Sequence, residues 1–170
     1  MVIIITGASH TGKTALAQKL LEKFNYPYLS IDHLKMGLIR SKNTTFTPLS
    51  DDELLTNYLW PIVCEIIKTA VENKQNLIVE GCYVPFNFES YFSPEYLQNI
   101  KYYCLIMSEN YINQNISSIN KYANCIETRI DDKIDIISLV NDNKRNLLLA
   151  KQNNVNYILI DNKYEIDIEI

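Results

Sequence analysis

The sequence predicts a single α/β domain, a parallel sheet covered by helices on both faces, and three observations predict it. The chain opens on a β-branched run, Val2-Ile3-Ile4-Ile5-Thr6. It is apolar at consecutive rather than alternate positions, as a strand buried on both faces of a parallel sheet is. Gly7 ends the run and a helical pattern follows at once, giving strand, glycine loop, helix. Short apolar strands and helical patterns then go on alternating along the chain, an order that implies right-handed crossovers.

Each element carries its own local signal. From Lys13 to Phe24, Leu16, Ala17, Leu20, Leu21 and Phe24 share one helix face, and Asn25 and Pro27 close the helix. A second strand, Tyr28 to Ile31, ends at Asp32, whose carboxylate is placed to cap a helix running to about Arg40. Ser41 to Leu49 has no periodicity and reads as a loop or flap. Ser50-Asp51-Asp52-Glu53 matches a capping box. A long helix follows it, with apolar pairs Leu54/Leu55, Tyr58/Leu59, Ile62/Val63, Ile66/Ile67 and Ala70/Val71 repeating every four residues. Pro61 falls inside that pattern and predicts a kink near Tyr58 or Trp60 rather than a break. Leu77 to Val79, ending at Glu80-Gly81, and Tyr102 to Met107 are the third and fourth strands. Helical spacing returns at Tyr111, Ile112, Asn115, Ile116 and Ile119, and again from about Ile134 to Ala150, before a fifth strand at Tyr157 to Ile160. The tail from Glu165 to Ile170 alternates strictly, which suits either an added edge strand or a frayed end. There is no internal repeat, linker or low-complexity block, so residues 1–170 read as one domain.

Composition narrows the function. With 16 Lys plus Arg against 20 Asp plus Glu, the net charge of −4 excludes polyanion binding driven by bulk charge. No apolar run is long enough to span a bilayer and no signal peptide is visible. Cys64, Cys82, Cys104 and Cys125 are dispersed, with no Cys-x-x-Cys pair, and read as reduced thiols. The expectation is a cytoplasmic protein, monomer or homodimer, that binds neither nucleic acid nor membrane.

One motif carries chemistry. Gly7-Ala8-Ser9-His10-Thr11-Gly12-Lys13-Thr14 is G-x-x-x-x-G-K-[ST], the P-loop, in the strand-loop-helix context it requires. Its glycines let successive N–H groups turn inward around a phosphate, and the following helix offers its positive end to the same anion. Gly7, Ala8, Ser9, His10, Thr11, Gly12, Lys13, Thr14 and Ala15 are therefore the expected nucleotide-binding residues. Lys13 is expected on the outer phosphates and the Thr14 hydroxyl on Mg²⁺.

With this loop, an acidic residue ending strand two, a helical flap, Glu80-Gly81 ending strand three and basic residues before the last helix, the chain resembles the P-loop small-molecule and nucleotide kinases. That group includes adenylate kinase, shikimate kinase, chloramphenicol phosphotransferase and zeta toxins. The resemblance implies a three-layer α/β/α fold with strand order 2-3-1-4-5, an acceptor flap at about 33–50 and a lid at about 120–134. It also implies transfer of the γ-phosphate of Mg²⁺-ATP to a small-molecule or nucleotide acceptor. Glu80 falls where the group keeps an acidic residue near Mg²⁺ or the acceptor, a metal role it would share with Thr14. Glu80-Gly81-Cys82-Tyr83-Val84-Pro85 looks like the Asp-Gly-Phe-Pro-Arg segment of adenylate kinases without its arginine, which argues against AMP as acceptor.

Within that resemblance Asp32 is the general base, a role compatible with capping. His33, Arg40, Glu80 and Tyr83 complete the candidate acceptor site, and Phe86 and Phe88 either line it or belong to the core. His10 and His33 are given no proton-transfer role. Arg40, Arg129 and Arg145 are the only arginines. Arg129 is the candidate lid cation and the third catalytic residue beside Lys13 and Asp32, its alternative being a surface pair with Glu127 or Asp132. A regulatory GTPase would need Asp-x-x-Gly, which is absent, and Asn-Lys-x-Asp, of which Asn162-Lys163-Tyr164-Glu165 is the nearest approach. The remaining alternative is a nucleotide sensor or ATPase module without an acceptor.

Overall fold

The computed structural model describes residues 1–122 and 134–168. Five parallel strands, β1 (Val2–Gly7), β2 (Tyr28–Ser30), β3 (Leu77–Glu80), β4 (Ile100–Met107) and β5 (Tyr157–Ile160), form one sheet in the order β2-β3-β1-β4-β5. Among the described residues six α-helices connect them: α1 (Lys13–Phe24), α2 (Ile31–Arg40), α3 (Asp52–Glu72), the short α4 (Pro94–Leu97), α5 (Glu109–Tyr122) and α6 (Ile136–Gln152). The sequence expectation of a three-layer α/β fold with this strand order holds.

The β-branched opening explains the layering. All of β1 is buried, and its residues alternate between two cores. Val2 and Ile4 join Leu55, Leu59, Trp60, Val63 and Ile67 of α3 on one face. Ile3 and Ile5 join Leu16, Ala17 and Leu20 of α1, Ile112 of α5 and Leu139 and Val140 of α6 on the other. Each isoleucine of β1 is fully buried and contributes roughly 1.5–3 kcal/mol as an upper bound.

Several local expectations are corrected. Helix α2 begins at Ile31 with Ser30 as its N-cap, so Asp32 lies inside the first turn and is not the cap. Its side chain bonds Lys35 instead. Helix α3 is capped not by Ser50 but by Asp51, which accepts from the N–H groups of Glu53 and Leu54 at 2.9 and 3.1 Å. The Ser50 hydroxyl accepts from Thr47 N–H. A carboxylate at 51 satisfies two orphan donors and also complements the helix dipole, which a serine cannot. Pro61 does not break helix α3, as the sequence leads one to expect. Helix α5 departs from helical geometry at Asn115, whose side-chain amide donates to the Tyr111 carbonyl at 3.0 Å, taking an acceptor that a helical backbone N–H would use. Among the described residues, which end at Ile168, the tail does not form an added edge strand. Its alternation buries Ile166 and Ile168 against the α1 face of the core without strand pairing.

The paired stripe of α3 is wider than the core it faces. Leu55, Leu59, Val63 and Ile67 are buried, whereas their partners Leu54, Tyr58, Ile62 and Ile66 are not. Ile62 and Ile66, with Pro27, Pro61 and Leu77, line a groove of about 1010 Å³. It lies at the amino ends of β2 and β3, the opposite edge of the sheet from the P-loop. Among the described residues no helix is long and apolar enough to cross a membrane. Cys64, Cys82 and Cys104 are free thiols; burial pushes Cys64 and Cys104 up to about 12, so both stay protonated near neutral pH. Cys125 lies outside the described residues.

Candidate active site

Sheet register brings the candidate residues to one edge. Ile5 of β1 and Ser30 of β2 both pair with Glu80 of β3, so these three strands end side by side. The P-loop leaves β1 there, Asp32 lies two residues past Ser30, and Glu80 is itself the last residue of β3. The carboxyl edge of a parallel sheet is where such folds bind ligands.

The loop is built from backbone constraints that the sequence pattern encodes. At Gly7, φ is +141°, and a Cβ there would stand 2.3 Å from the Leu105 carbonyl oxygen of β4. Only glycine lets the loop turn this close to the neighbouring strand. Lys13 is 6% exposed, and its ammonium donates to the Ala8 carbonyl at 2.8 Å. The Thr11 hydroxyl donates to the same carbonyl at 2.9 Å. His10 sits at φ 63° at the crest of the turn, beside exposed Ser9. Gly12 is the N-cap of α1 and supplies no capping side chain, and no acidic residue stands in the first turn. The first N–H groups of α1, near Thr14 and Ala15, thus end in a positive helix terminus without a capping carboxylate.

Thr14 and Glu80 meet. The Thr14 hydroxyl donates to Glu80 Oε2 at 3.2 Å, joining residues 66 positions apart. Glu80 is only 2% exposed. A carboxylate so removed from water is costly without a cation or donors around it. This hydroxyl-carboxylate pair suits a hard divalent cation that prefers oxygen ligands. Among the described residues no cluster of three His, Cys, Asp or Glu forms a protein-only metal site. Mg²⁺ does not need one, because phosphate oxygens and water complete its shell.

Asp32 faces a partner that the sequence reading missed. Lys35 Nζ donates to Asp32 Oδ1 at 2.6 Å and to the Tyr83 hydroxyl at 2.7 Å, and it stands 4.7 Å from the Tyr83 ring centroid. The Lys35 side chain is 11% exposed and that of Asp32 40%. Burial alone would lower the Lys35 pKa, but its bonds to Asp32 and Tyr83 and their charges outweigh that and hold it above its ordinary value. Burial raises the Tyr83 phenol, with the Lys35 bond opposing. The Asp32–Lys35–Tyr83 chain ties α2 to the segment after β3.

The other candidates separate. His33 is exposed in the first turn of α2, and Arg40 is exposed at its last residue, two turns along. Phe86 is half-buried and packs on the core. Phe88 is a core residue stacked on Tyr102, with ring centroids 4.5 Å apart. Arg145 is exposed on α6 and its charge acts on Asp142. Arg129, Glu127 and Asp132, and most of the expected lid, lie outside the described residues.

Two further residues escaped the sequence reading. Asn143 of α6 is buried; its side chain accepts from Met107 N–H and donates to the Leu139 carbonyl, both at 2.8 Å, and so fixes α6 to the end of β4. Tyr164 donates from its hydroxyl to the Thr11 carbonyl at 3.0 Å. No local pattern marks either contact, since each joins elements 36 or more residues apart.

Solved structures share this fold at low sequence identity. No protein-family profile matches the chain, and no curated protein does. A candidate kinase from Chloroflexus aurantiacus J-10-fl superposes with a TM-score of 0.55 at 20% identity, covering 98% of this chain and 91% of its own. Shikimate kinase from Bacteroides thetaiotaomicron gives 0.55 at 13% identity over 95% and 85%. A sugar kinase from Janibacter sp. HTCC2649 gives 0.53 at 14% identity over 94% and 84%. The fold of this chain is thus the three-layer P-loop fold that these kinases share, and the likeness extends over nearly its whole length.

Proposed function

We propose that the chain is a single-domain cytoplasmic phosphotransferase that moves the γ-phosphate of Mg²⁺-ATP to the hydroxyl of a small molecule or nucleotide. The observation that carries the reading is the contact of Thr14 with buried Glu80, beside a P-loop and within one sheet edge of Asp32. Kinase neighbours over nearly the full chain support it as analogy of fold.

In this reading the backbone from Gly7 to Ala15 holds the phosphates, and Lys13 exchanges the Ala8 carbonyl for phosphate oxygens, a charge-assisted and stronger bond. Thr14 and Glu80 would hold Mg²⁺, which when bound would neutralise phosphate charge. The acceptor sits over Asp32, Glu80 and Tyr83, with His33 and Arg40 at the rim along α2. Lys35 occupies one oxygen of Asp32 and leaves the other for the acceptor hydroxyl. As the acceptor oxygen bonds to the γ-phosphorus, the bond from that phosphorus to the β–γ bridging oxygen breaks. The hydroxyl proton passes to Asp32 and ADP leaves. A loose transition state asks more of Asp32 in orientation than in basicity, which makes a lysine-fixed carboxylate suitable. Arg129 is the lid cation.

The test separates binding from transfer. Lys13→Ala should remove tight ATP binding. Asp32→Asn should keep ATP affinity and lower transfer about 10²- to 10⁴-fold. Unimpaired transfer by Asp32→Asn would remove its catalytic role. ATP binding without transfer to any acceptor would favour a sensor module.

A further inference from the structure

We propose that Tyr164 is a positioning residue for the phosphate cradle: its hydroxyl pins the Thr11 carbonyl and thereby aims the Gly12 N–H into the loop. The inference rests on the reading of the loop as a nucleotide site and assigns a role to the tail, which that reading leaves without one.

The contact is direct and tightly fitted. The Tyr164 hydroxyl donates to the Thr11 carbonyl at 3.0 Å across 153 residues of sequence. A Cβ on Gly12 would stand 1.9 Å from that same hydroxyl oxygen and 2.7 Å from Cζ. Gly12 therefore answers two demands, its own φ of +82° and the approach of Tyr164. Peptide planarity turns this into a statement about the cradle. In a trans peptide the carbonyl and the following N–H point in opposite directions, so a Thr11 carbonyl held toward Tyr164 sends the Gly12 N–H away from it.

Glycine makes such a pin necessary. Gly12 visits positive and negative φ with similar ease, so the Thr11–Gly12 peptide can flip at little steric cost. A flipped peptide would present a carbonyl oxygen to a phosphate where a donor is required. The freedom that allows the turn also leaves it underdetermined, and a hydrogen bond from outside the loop settles its orientation.

The tail is anchored well enough to serve as the outside support. Ile166 and Ile168 are buried in the core that holds Leu16, Ala17 and Leu20 of α1. Lys19 of α1 donates to the Ile166 carbonyl at 3.5 Å. Tyr164 shares the parity of Ile166 and Ile168, so over the described tail these three side chains turn toward α1 and the loop before it. Tyr164 itself stays 40% exposed, so its hydroxyl can be removed without opening the core.

The experiment uses the full chain, Tyr164→Phe, and Mg²⁺-tripolyphosphate as a probe that has phosphates but no base. Calorimetry should show tripolyphosphate and ATP both bound about 3- to 10-fold more weakly, the effect of one neutral hydrogen bond. The KM for ATP should rise by a similar factor at constant kcat, with the melting temperature within about 3 °C of the parent. Unchanged tripolyphosphate affinity would overturn the proposal, including the case in which ATP alone weakens, because that would make Tyr164 a contact for the base or sugar. Lys13→Ala run in parallel keeps the two readings apart. A lysine variant that loses tripolyphosphate beside a silent Tyr164→Phe overturns the pin alone, while a lysine variant that binds like the parent overturns the nucleotide site.

Discussion

Replacing Lys35 with methionine tests the least expected part of the candidate site. Methionine keeps the length of the stem and removes the ammonium, so little cavity is created. Two interactions are lost. The Tyr83 hydroxyl, on a buried residue, loses its donor at 2.7 Å, and a buried polar group left without a partner costs about 1–3 kcal/mol. The ion pair with Asp32 is half-open to water on the carboxylate side, which limits its worth to about 0.5–1 kcal/mol. The expected loss is about 1.5–4 kcal/mol, or about 3–16 °C in melting temperature for a chain of this size. Urea denaturation with Tyr83→Phe as the second arm of a double-mutant cycle provides the assay. The pair Lys35→Met/Tyr83→Phe should recover about 1 kcal/mol relative to Lys35→Met, because the orphaned hydroxyl is then gone. A single variant within about 0.5 kcal/mol of the parent, or no recovery in the double, would refute the reasoning.

Three other outcomes follow from the same contacts. Glu80→Gln should raise the Mg²⁺ concentration for half-maximal nucleotide binding or turnover at least about 10-fold, and an unchanged Mg²⁺ titration would remove Glu80 from the metal site. Lys35 and Tyr83 both have folded pKa values above their ordinary 10.5 and 10.0. Their contributions are therefore complete below about pH 10 and lost as pH rises through the folded values; the urea midpoint should fall in that alkaline window. Ile166→Ala should cost about 2–4 kcal/mol in denaturant unfolding, a cost that a frayed tail would not show.

The parts of this structure legible in the sequence are those whose cause is local. The order of β1, the P-loop and α1 is written in consecutive residues, and Glu80 and Asp32 are each marked by their place at or just after a strand end. The paired stripe of α3 announces a helix, but it does not reveal that Leu55, Leu59, Val63 and Ile67 are buried while Leu54, Tyr58, Ile62 and Ile66 are not, because the width of the opposing layer is a tertiary fact. Lys35 is three residues from Asp32, and lysines at that spacing are usually solvated. What makes this one different is Tyr83, 48 residues away. The cap at Asp51 rather than Ser50 turns on where the helix starts, within a run of three acidic residues. The tail shows the same limit. Its period of two is a real burial pattern, yet whether the second partner is a strand or the side of α1 depends on what lies beside it.

The most direct test of the central claim is transfer from γ-labelled ATP with Mg²⁺ against pools of nucleotides, phosphorylated metabolites, hydroxylated antibiotics and sugar nucleotides, with an acceptor-free control for hydrolysis. The account predicts a labelled product in one pool, at a rate well above the control and lost in Lys13→Ala. Label released only as inorganic phosphate, at the same rate with and without every pool, would contradict it.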